Sequence, residues 1–172
     1  MAQSSTFNAS SADGYERLMG RWSRRLAVPF LEFVKVSDGD RVLDVGCGTG
    51  SLSFAAAKFA NVRKLVGVDL AAAYIERARR DCADERITFH QGDAFDLPLD
   101  DGAFDRVFCF LVLQFIPDPA RAIAEMRRKT RPGDPAKVCK SLNSVGVRRM
   151  TLPSVRTSKR AGSMTTPATE SI

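Results

Sequence analysis

The sequence predicts an α/β fold built on a parallel β-sheet, and three observations lead to this prediction. Four short apolar segments have the composition of buried strands: residues 41–45, 64–69, 87–91 and 104–110. Helix-like patterns of apolar residues lie between the strands. The first two strands end in Asp44 and Asp69, 25 residues apart, which is the spacing of a strand–helix–strand unit. We therefore expect a Rossmann-like doubly wound parallel sheet.

A glycine cluster follows the first strand, in the stretch VLDVGCGTG from Val42 to Gly50. Three glycines within five residues let the backbone take conformations closed to other residues, and they leave room for a ligand against the main chain. A helix that begins at Gly50 or Ser51 offers free amides and the positive end of its dipole to an anionic group. The pattern therefore predicts a nucleotide-like ligand.

Two ligands compete for this turn, a dinucleotide and S-adenosylmethionine. The dinucleotide fingerprint needs a glycine or alanine where Ser51 stands. A carboxylate at Asp44 would repel a pyrophosphate but would suit an ammonium group, which S-adenosylmethionine carries. The stretch resembles motif I of the class I S-adenosylmethionine-dependent methyltransferases. That resemblance implies cofactor contacts by five residues of the turn: Asp44, Gly46, Cys47, Gly48 and Gly50.

Further candidates follow the later strands. An acid at the end of the second strand accepts hydrogen bonds from ribose hydroxyls with either ligand, which fits Asp69. The resemblance places Asp93 and Ala94 at the adenine-binding position, although Asp93 also fits a simple turn acid. The segment FDRVFCF, residues 104–110, matches the family's motif at the fourth strand. The resemblance also implies cofactor contacts by Leu70 and Phe110.

The N-terminal stretch places apolar residues at helical spacing, and we expect residues 1–36 to form a helical lid. Ser23 could cap a second helical segment, which Pro29 would kink or divide. The stretch YERLMGRWSRRLA looks like the leader helix of one methyltransferase subgroup, in which a Gly-Arg pair approaches the ligand's carboxylate. Gly20 and Arg21 match that pair, and a solvated helix charge is the alternative interpretation of Arg21.

Composition divides the rest of the chain at residue 133. Residues 37–133 carry the motifs of a cofactor-binding domain similar to the small-molecule methyltransferase type 11 group. Residues 134–172 hold seven Lys and Arg against two Asp and Glu and no aromatic residue, so we expect a disordered basic tail. The tail is either a solvated or frameshifted extension or an electrostatic contact to nucleic acid or membrane. The body is nearly neutral, which argues against a nucleic-acid partner.

The family pattern stops after four strands, so we expect an incomplete sheet. The edge from Val107 to Leu111 would then be exposed, and we expect this chain to bind cofactor poorly and to turn over no substrate. Four cysteines without paired spacing and the single His90 predict neither a metal site nor disulfides. No apolar run is long enough to span a bilayer, and we expect a cytoplasmic protein.

The leading functional hypothesis is methyl transfer from S-adenosylmethionine to an oxygen or carbon atom of a small molecule. The Asn-Pro-Pro-aromatic motif of enzymes that methylate nucleobase amino groups is absent, since the fourth strand is followed by LVLQFIPDP. No catalytic residue can be named: His90 could be a general base, but its place at a strand end favours a structural role. The alternatives are an NAD(P)-binding oxidoreductase and a non-catalytic cofactor-binding fragment. The oligomeric state stays open.

Overall fold

A computed structural model of the chain describes residues 12–133 and residues 140–142, and its centre is a parallel five-stranded sheet. The strands are β1 (Arg41–Val45), β2 (Lys64–Asp69), β3 (Ile87–Gln91), β4 (Arg106–Phe110) and β5 (Lys140–Leu142). They lie in the order β3-β2-β1-β4-β5, and every pair is parallel. The predicted doubly wound parallel sheet is confirmed.

The helices fall where the apolar periodicity places them. They are α1 (Ala12–Tyr15), α2 (Arg21–Val34), α3 (Ser51–Phe59), α4 (Ala72–Asp81) and α5 (Pro119–Lys129), with a π-helical turn at Glu16–Gly20 and a 3₁₀ turn at Leu113–Phe115. In the sequence, Asp118 followed by Pro119 predicts an N-cap and an N1 proline for α5. The cap is confirmed, because the Asp118 carboxylate accepts a hydrogen bond from the Arg121 amide at 3.0 Å. None of the helices in the described ranges combines the length and the apolar character that crossing a bilayer requires.

Apolar side chains cover both faces of the sheet. On one face, α2, α3 and α4 pack against alternate residues of the strands, including Val42, Leu65 and Phe108. On the other face, α5 and the loop residue Leu97 pack against the intervening positions. The apolar periodicity of the sequence places Leu52, Ala55, Ala56 and Phe59 on one face of α3, but Phe59 is 39% exposed. The helix ends there, and Ala57 takes the buried position instead.

Helix α2 runs unbroken through Pro29, so the predicted division does not occur. Proline removes one backbone hydrogen bond, but Phe30, Leu31 and Val34 are each at most 2% exposed and anchor the second half of the helix in the main core. Ser23 lies inside α2 and does not cap it. The core therefore continues across residue 36, where the sequence suggests a boundary.

The sheet has one strand more than the four that the sequence predicts. Residues 140–142 pair in parallel with Phe108, Cys109 and Phe110. The unpaired backbone groups of β4 provide the physical reason, because a buried strand edge needs hydrogen-bond partners. The predicted exposed edge is thus covered over three residues by a segment that was expected to be disordered. The rest of the predicted tail lies outside the described residues.

This strand order creates one crevice suited to a ligand. From β1 the chain passes to β2 and β3 on one side and then returns to β4 on the other side of β1. Ligands of open α/β sheets bind at such a reversal, outside the carboxyl ends of the strands. The carboxyl ends of β1 and β4 are therefore where a functional site is expected.

Candidate functional site

The glycine turn closes directly onto the neighbouring strand. The amides of Gly46 and Cys47 both donate to the carbonyl of Val68 in β2, at 2.7 and 3.1 Å. Gly46 has a φ of +75°, and a Cβ atom at this position would lie 2.5 Å from the side chain of Val112. Both the backbone conformation and the close approach of the loop after β4 therefore require glycine.

The residue before Val112 also has an unusual backbone conformation. Leu111, which follows β4, is buried and has a φ of +60°, a conformation that is costly for a branched side chain. Strained residues of this kind concentrate at ligand sites, where the surrounding structure holds them in place. The loop after β4 is thus a constrained wall of the crevice.

Asp44 lies at the centre of the crevice and is only 1% exposed. The Ser53 hydroxyl, in the first turn of α3, donates to its Oδ2 atom at 2.7 Å. Its Oδ1 atom is buried and has no hydrogen-bond partner within the described part of the chain. Burial raises the pKa of Asp44 from 3.8 to about 7, against the opposing effect of the Ser53 hydrogen bond. The site thus holds a buried carboxylate oxygen that lacks a donor.

Asp69, at the end of β2, is held by backbone amides. Its Oδ2 atom accepts from the Gly48 amide at 2.8 Å, and its Oδ1 atom accepts from the Ala71 amide at 2.9 Å. Burial raises its pKa, while these amide hydrogen bonds lower it. Each carboxylate oxygen has a second lone pair, so the group can still accept from a ligand hydroxyl.

A small pocket opens between the glycine turn, α2 and β4. It is lined by Ser23, Asp44, Gly46, Cys47, Thr49, Ser51, Leu52 and Phe110. Four of the residues predicted from the sequence are therefore brought together: Asp44, Gly46, Cys47 and Phe110. Gly48 is joined to the site through Asp69, and Gly50, with a φ of +86°, forms the N-cap of α3.

Other predicted residues lie at the sheet edge but outside this pocket. Asp93 and Ala94 follow β3 and are half-buried, and the Asp93 carboxylate accepts from the Phe95 amide at 2.8 Å. That contact is the turn interaction considered as an alternative for Asp93. Leu70 is half-buried after β2, and its carbonyl accepts a hydrogen bond from the Gln91 side chain. The adenine-binding role stays a prediction.

Arg21 does not line the pocket. It is the exposed first residue of α2, and its guanidinium carbon lies 5.4 Å from the centre of the Trp22 ring. This is a cation–π distance. The exposed position of Arg21 fits the alternative interpretation, a solvated charge on a helix. Contact between Arg21 and a ligand carboxylate stays a prediction.

Sequence reasoning missed the polar residues that support the turn. Glu16 accepts hydrogen bonds from the hydroxyls of Thr49 and Ser51, the latter at 3.3 Å. Ser53, the partner of Asp44, was also missed. Ser53 could have been identified from the sequence, because it is a polar residue in the first turn of the helix that follows Asp44 and the glycine turn. Nothing in the local pattern points to Glu16, because its partners lie more than thirty residues away in the chain.

The charges of the site favour a cationic ligand group over a pyrophosphate. Asp44 and Asp69 place two carboxyl groups beside the glycine turn. None of the residues that line the pocket is Lys or Arg. An ammonium group would satisfy the unpartnered oxygen of Asp44, whereas a second anion there would be repelled. The residues therefore fit S-adenosylmethionine, with its ammonium and sulfonium groups, better than a dinucleotide.

Comparisons with known proteins agree with this geometry. Residues 43–134 match the family model described as a methyltransferase domain. The chain is 36% identical over 102 residues to demethylmenaquinone methyltransferase of Clavibacter sepedonicus, a match that covers 59% of this chain and 41% of that protein. It is 35% identical over 99 residues to 27-O-demethylrifamycin SV methyltransferase of Amycolatopsis mediterranei, covering 55% and 36%.

Among solved structures, the fold is similar to that of an S-adenosylmethionine-dependent methyltransferase from Mesorhizobium loti. The TM-score is 0.55 at 30% sequence identity, and the match covers 61% of this chain and 49% of that chain. The chain thus spans less than half of the length of each of these three proteins.

Proposed function

Because this chain belongs to the class I S-adenosylmethionine-dependent methyltransferases, we propose that it transfers a methyl group to an oxygen or carbon atom of a small molecule. The observation that carries the proposal is the buried, unpartnered carboxylate oxygen of Asp44 beside the glycine turn. A buried acceptor of this kind calls for a donor, and the cofactor of this class brings an ammonium group.

The residues have distinct roles in holding the cofactor. Asp44 would pair with the ammonium group, and Asp69, already oriented by two amides, would accept from ribose hydroxyls. Asp93 and Ala94 would hold the adenine from the edge beyond β3. Arg21 would meet the methionine carboxylate after leaving the Trp22 ring. The assignments of Asp44, Asp69 and Asp93 follow the order of the strand ends along the sheet.

When bound, S-adenosylmethionine supplies an electrophilic methyl group on a sulfonium. The chain itself would orient the cofactor and the acceptor, exclude water from the pocket and stabilise the charges of the cofactor. Leu52 and Phe110 give the pocket apolar walls, and the Phe110 ring is packed against Phe30 with centroids 4.9 Å apart. The only histidine, His90, is exposed on β3, away from the pocket-lining residues. We assign no general base within the described residues.

The names of the relatives support a small acceptor. One of them acts on demethylmenaquinone and another on a rifamycin. The first name denotes a quinone and the second an antibiotic that lacks a methyl group on an oxygen atom. We therefore expect an acceptor that carries a phenol, a quinol or an alcohol.

The test is formation of S-adenosylhomocysteine from S-adenosylmethionine by the purified chain with a panel of quinols, phenols and hydroxylated macrolides. The expectation from the sequence that this chain turns over no substrate rested on an exposed edge of β4, and β5 covers that edge over three residues. The proposal therefore expects at least one acceptor to raise product formation above the acceptor-free rate, and Asp69→Ala to reduce the increase. Saturable S-adenosylhomocysteine binding without turnover on any acceptor would favour a non-catalytic cofactor-binding protein. Reduction of NAD(P) by a panel alcohol would favour the oxidoreductase.

A further inference from the structure

Glu16 joins the N-terminal segment to the cofactor-binding turn. Its Oε1 atom accepts hydrogen bonds from the hydroxyls of Thr49 and Ser51, where α3 begins. Its Oε2 atom accepts from the Arg24 guanidinium at 3.0 Å. Thr49 and Ser51 also line the pocket. The Glu16 side chain thus engages two hydrogen-bond donors that line the pocket.

A second link ties the same segment to α4. Asp13 forms an ion pair with Arg77 at 2.8 Å. Helix α3 follows the glycine turn, and helix α4 follows Asp69. Residues 12–20 therefore contact both helices, through Glu16 and through Asp13. The segment includes a π-helical turn, a rare geometry that is frequent at functional sites.

Gly20 makes the Glu16 contact possible. A Cβ atom on Gly20 would overlap the Glu16 carboxylate and lie 3.1 Å from the Arg24 guanidinium. The φ of Gly20 is −57°, so alanine would fit the backbone without strain. The glycine is thus needed for the position of the Glu16 side chain, and replacing it would displace that side chain and press on its partner, the Arg24 guanidinium.

We propose that Glu16 is a latch that holds residues 12–20 closed over the glycine turn and must release Thr49 and Ser51 before the cofactor enters. The inference rests on the proposed cofactor site. In the latched form the Glu16 carboxylate lies at the positive end of α3 and accepts hydrogen bonds from the hydroxyls of Thr49 and Ser51. The cofactor therefore binds only the released fraction of molecules, and its apparent affinity is reduced by that fraction.

Release of the latch should then strengthen binding. Glu16→Ala and Gly20→Ala are expected to raise the affinity for S-adenosylhomocysteine by about three- to tenfold, the range of one or two partly exposed hydrogen bonds. The association rate should rise by a similar factor. Glu32→Ala is the matched control, because it removes the same charge from an exposed position of α2.

Two measurements separate the latch from the cofactor site. Stopped-flow titration with S-adenosylhomocysteine can use the fluorescence of Trp22, the single tryptophan, which lies two residues after Gly20. Amide hydrogen exchange of residues 12–20 without ligand reports the latch directly. Both variants should exchange faster in this segment than the wild type and Glu32→Ala.

Weaker binding of S-adenosylhomocysteine by Glu16→Ala would overturn the proposal, because Glu16 would then hold the cofactor. Exchange in both variants equal to that of Glu32→Ala would overturn it as well. If none of the proteins bound S-adenosylhomocysteine, the cofactor site itself would fail, and the exchange rates would still decide whether Glu16 closes the segment.

Discussion

The Ser53 hydroxyl donates a 2.7 Å hydrogen bond to one carboxylate oxygen of Asp44, while the other oxygen of Asp44 finds no partner among the residues that the structure describes. Asp69, in contrast, accepts one backbone amide on each oxygen. Asp44 and Asp69, at neighbouring strand ends, therefore differ in how many of their carboxylate oxygens accept a hydrogen bond. The incomplete one is the group that a cation would stabilise most.

The stability of the protein should depend on the protonation of Asp44. Burial raises its pKa to about 7, so between about pH 4 and pH 7 the folded chain keeps a proton that the unfolded chain releases. The free energy of unfolding should therefore fall as pH rises through this window. Asp44→Asn has no proton to lose, and its stability relative to wild type should improve by up to about 4 kcal/mol between pH 4 and pH 8.

Urea unfolding at pH 4, 6 and 8, followed by circular dichroism, measures this difference. Asp100→Asn, at an exposed position, controls for the general effect of removing a charge. An identical pH dependence in wild type and Asp44→Asn would show that Asp44 is ionised throughout this range.

Cofactor affinity should depend on pH for the same reason. Pairing with an ammonium group requires the ionised form of Asp44, which is the minor form below pH 7. Affinity for S-adenosylhomocysteine should rise by up to about tenfold between pH 6 and pH 8. Calorimetry in two buffers of different ionisation enthalpy should detect proton release below pH 7. A pH-independent affinity, or equal proton release from Asp44→Asn, would contradict the assignment.

Much of this site was predictable because its signals are local. The strands β1 to β3 follow from short apolar runs, and the glycine turn follows from residue types that the backbone requires, as the φ of Gly46 shows. Asp118 and Pro119 marked the start of α5 for the same reason.

What escaped prediction depends on contacts between distant segments. Glu16 meets Thr49 across 33 residues, and no periodicity encodes a single side-chain hydrogen bond. Strand β5 pairs with β4 through backbone groups, which leave little trace in residue composition. Helix α2 continues through Pro29 because buried neighbours hold it, and burial is a property of the whole fold.

Gly46→Ala should destabilise the fold and weaken cofactor binding. The new methyl group would meet Val112 at 2.5 Å in a backbone conformation with positive φ. Gly39→Ala is a matched control, because its φ of +78° is similar but a Cβ atom there meets nothing within 4 Å. We expect a loss of about 1–2 kcal/mol of stability for Gly39→Ala and about 1–3 kcal/mol more for Gly46→Ala.

Val112→Ala in the Gly46→Ala background should recover part of that additional loss, because it removes the two methyl groups that lie nearest to the new Cβ atom. Equal destabilisation by the two glycine variants in urea unfolding would show that contact with Val112 does not constrain the turn.

The pairing of β5 with β4 should be detectable as protection of β4. Ser141→Pro places a residue without a backbone N–H in the middle of β5, and we expect faster amide exchange in β4 and a stability loss of about 1–3 kcal/mol. Ser141→Ala keeps the backbone donor and serves as the control. Unchanged exchange of β4 in the proline variant would mean that β5 does not protect this edge.

Binding of S-adenosylhomocysteine to the 172-residue chain, compared with binding of NADH, tests the cofactor site most directly. Calorimetry should show saturable one-to-one binding of S-adenosylhomocysteine, much weaker binding of NADH, and a loss of about 1–3 kcal/mol of binding free energy in Asp69→Ala, which leaves ligand hydroxyls unpaired. Tighter binding of NADH, no binding of S-adenosylhomocysteine, or an unchanged affinity in Asp69→Ala would contradict the site built on Asp44, the glycine turn and Asp69.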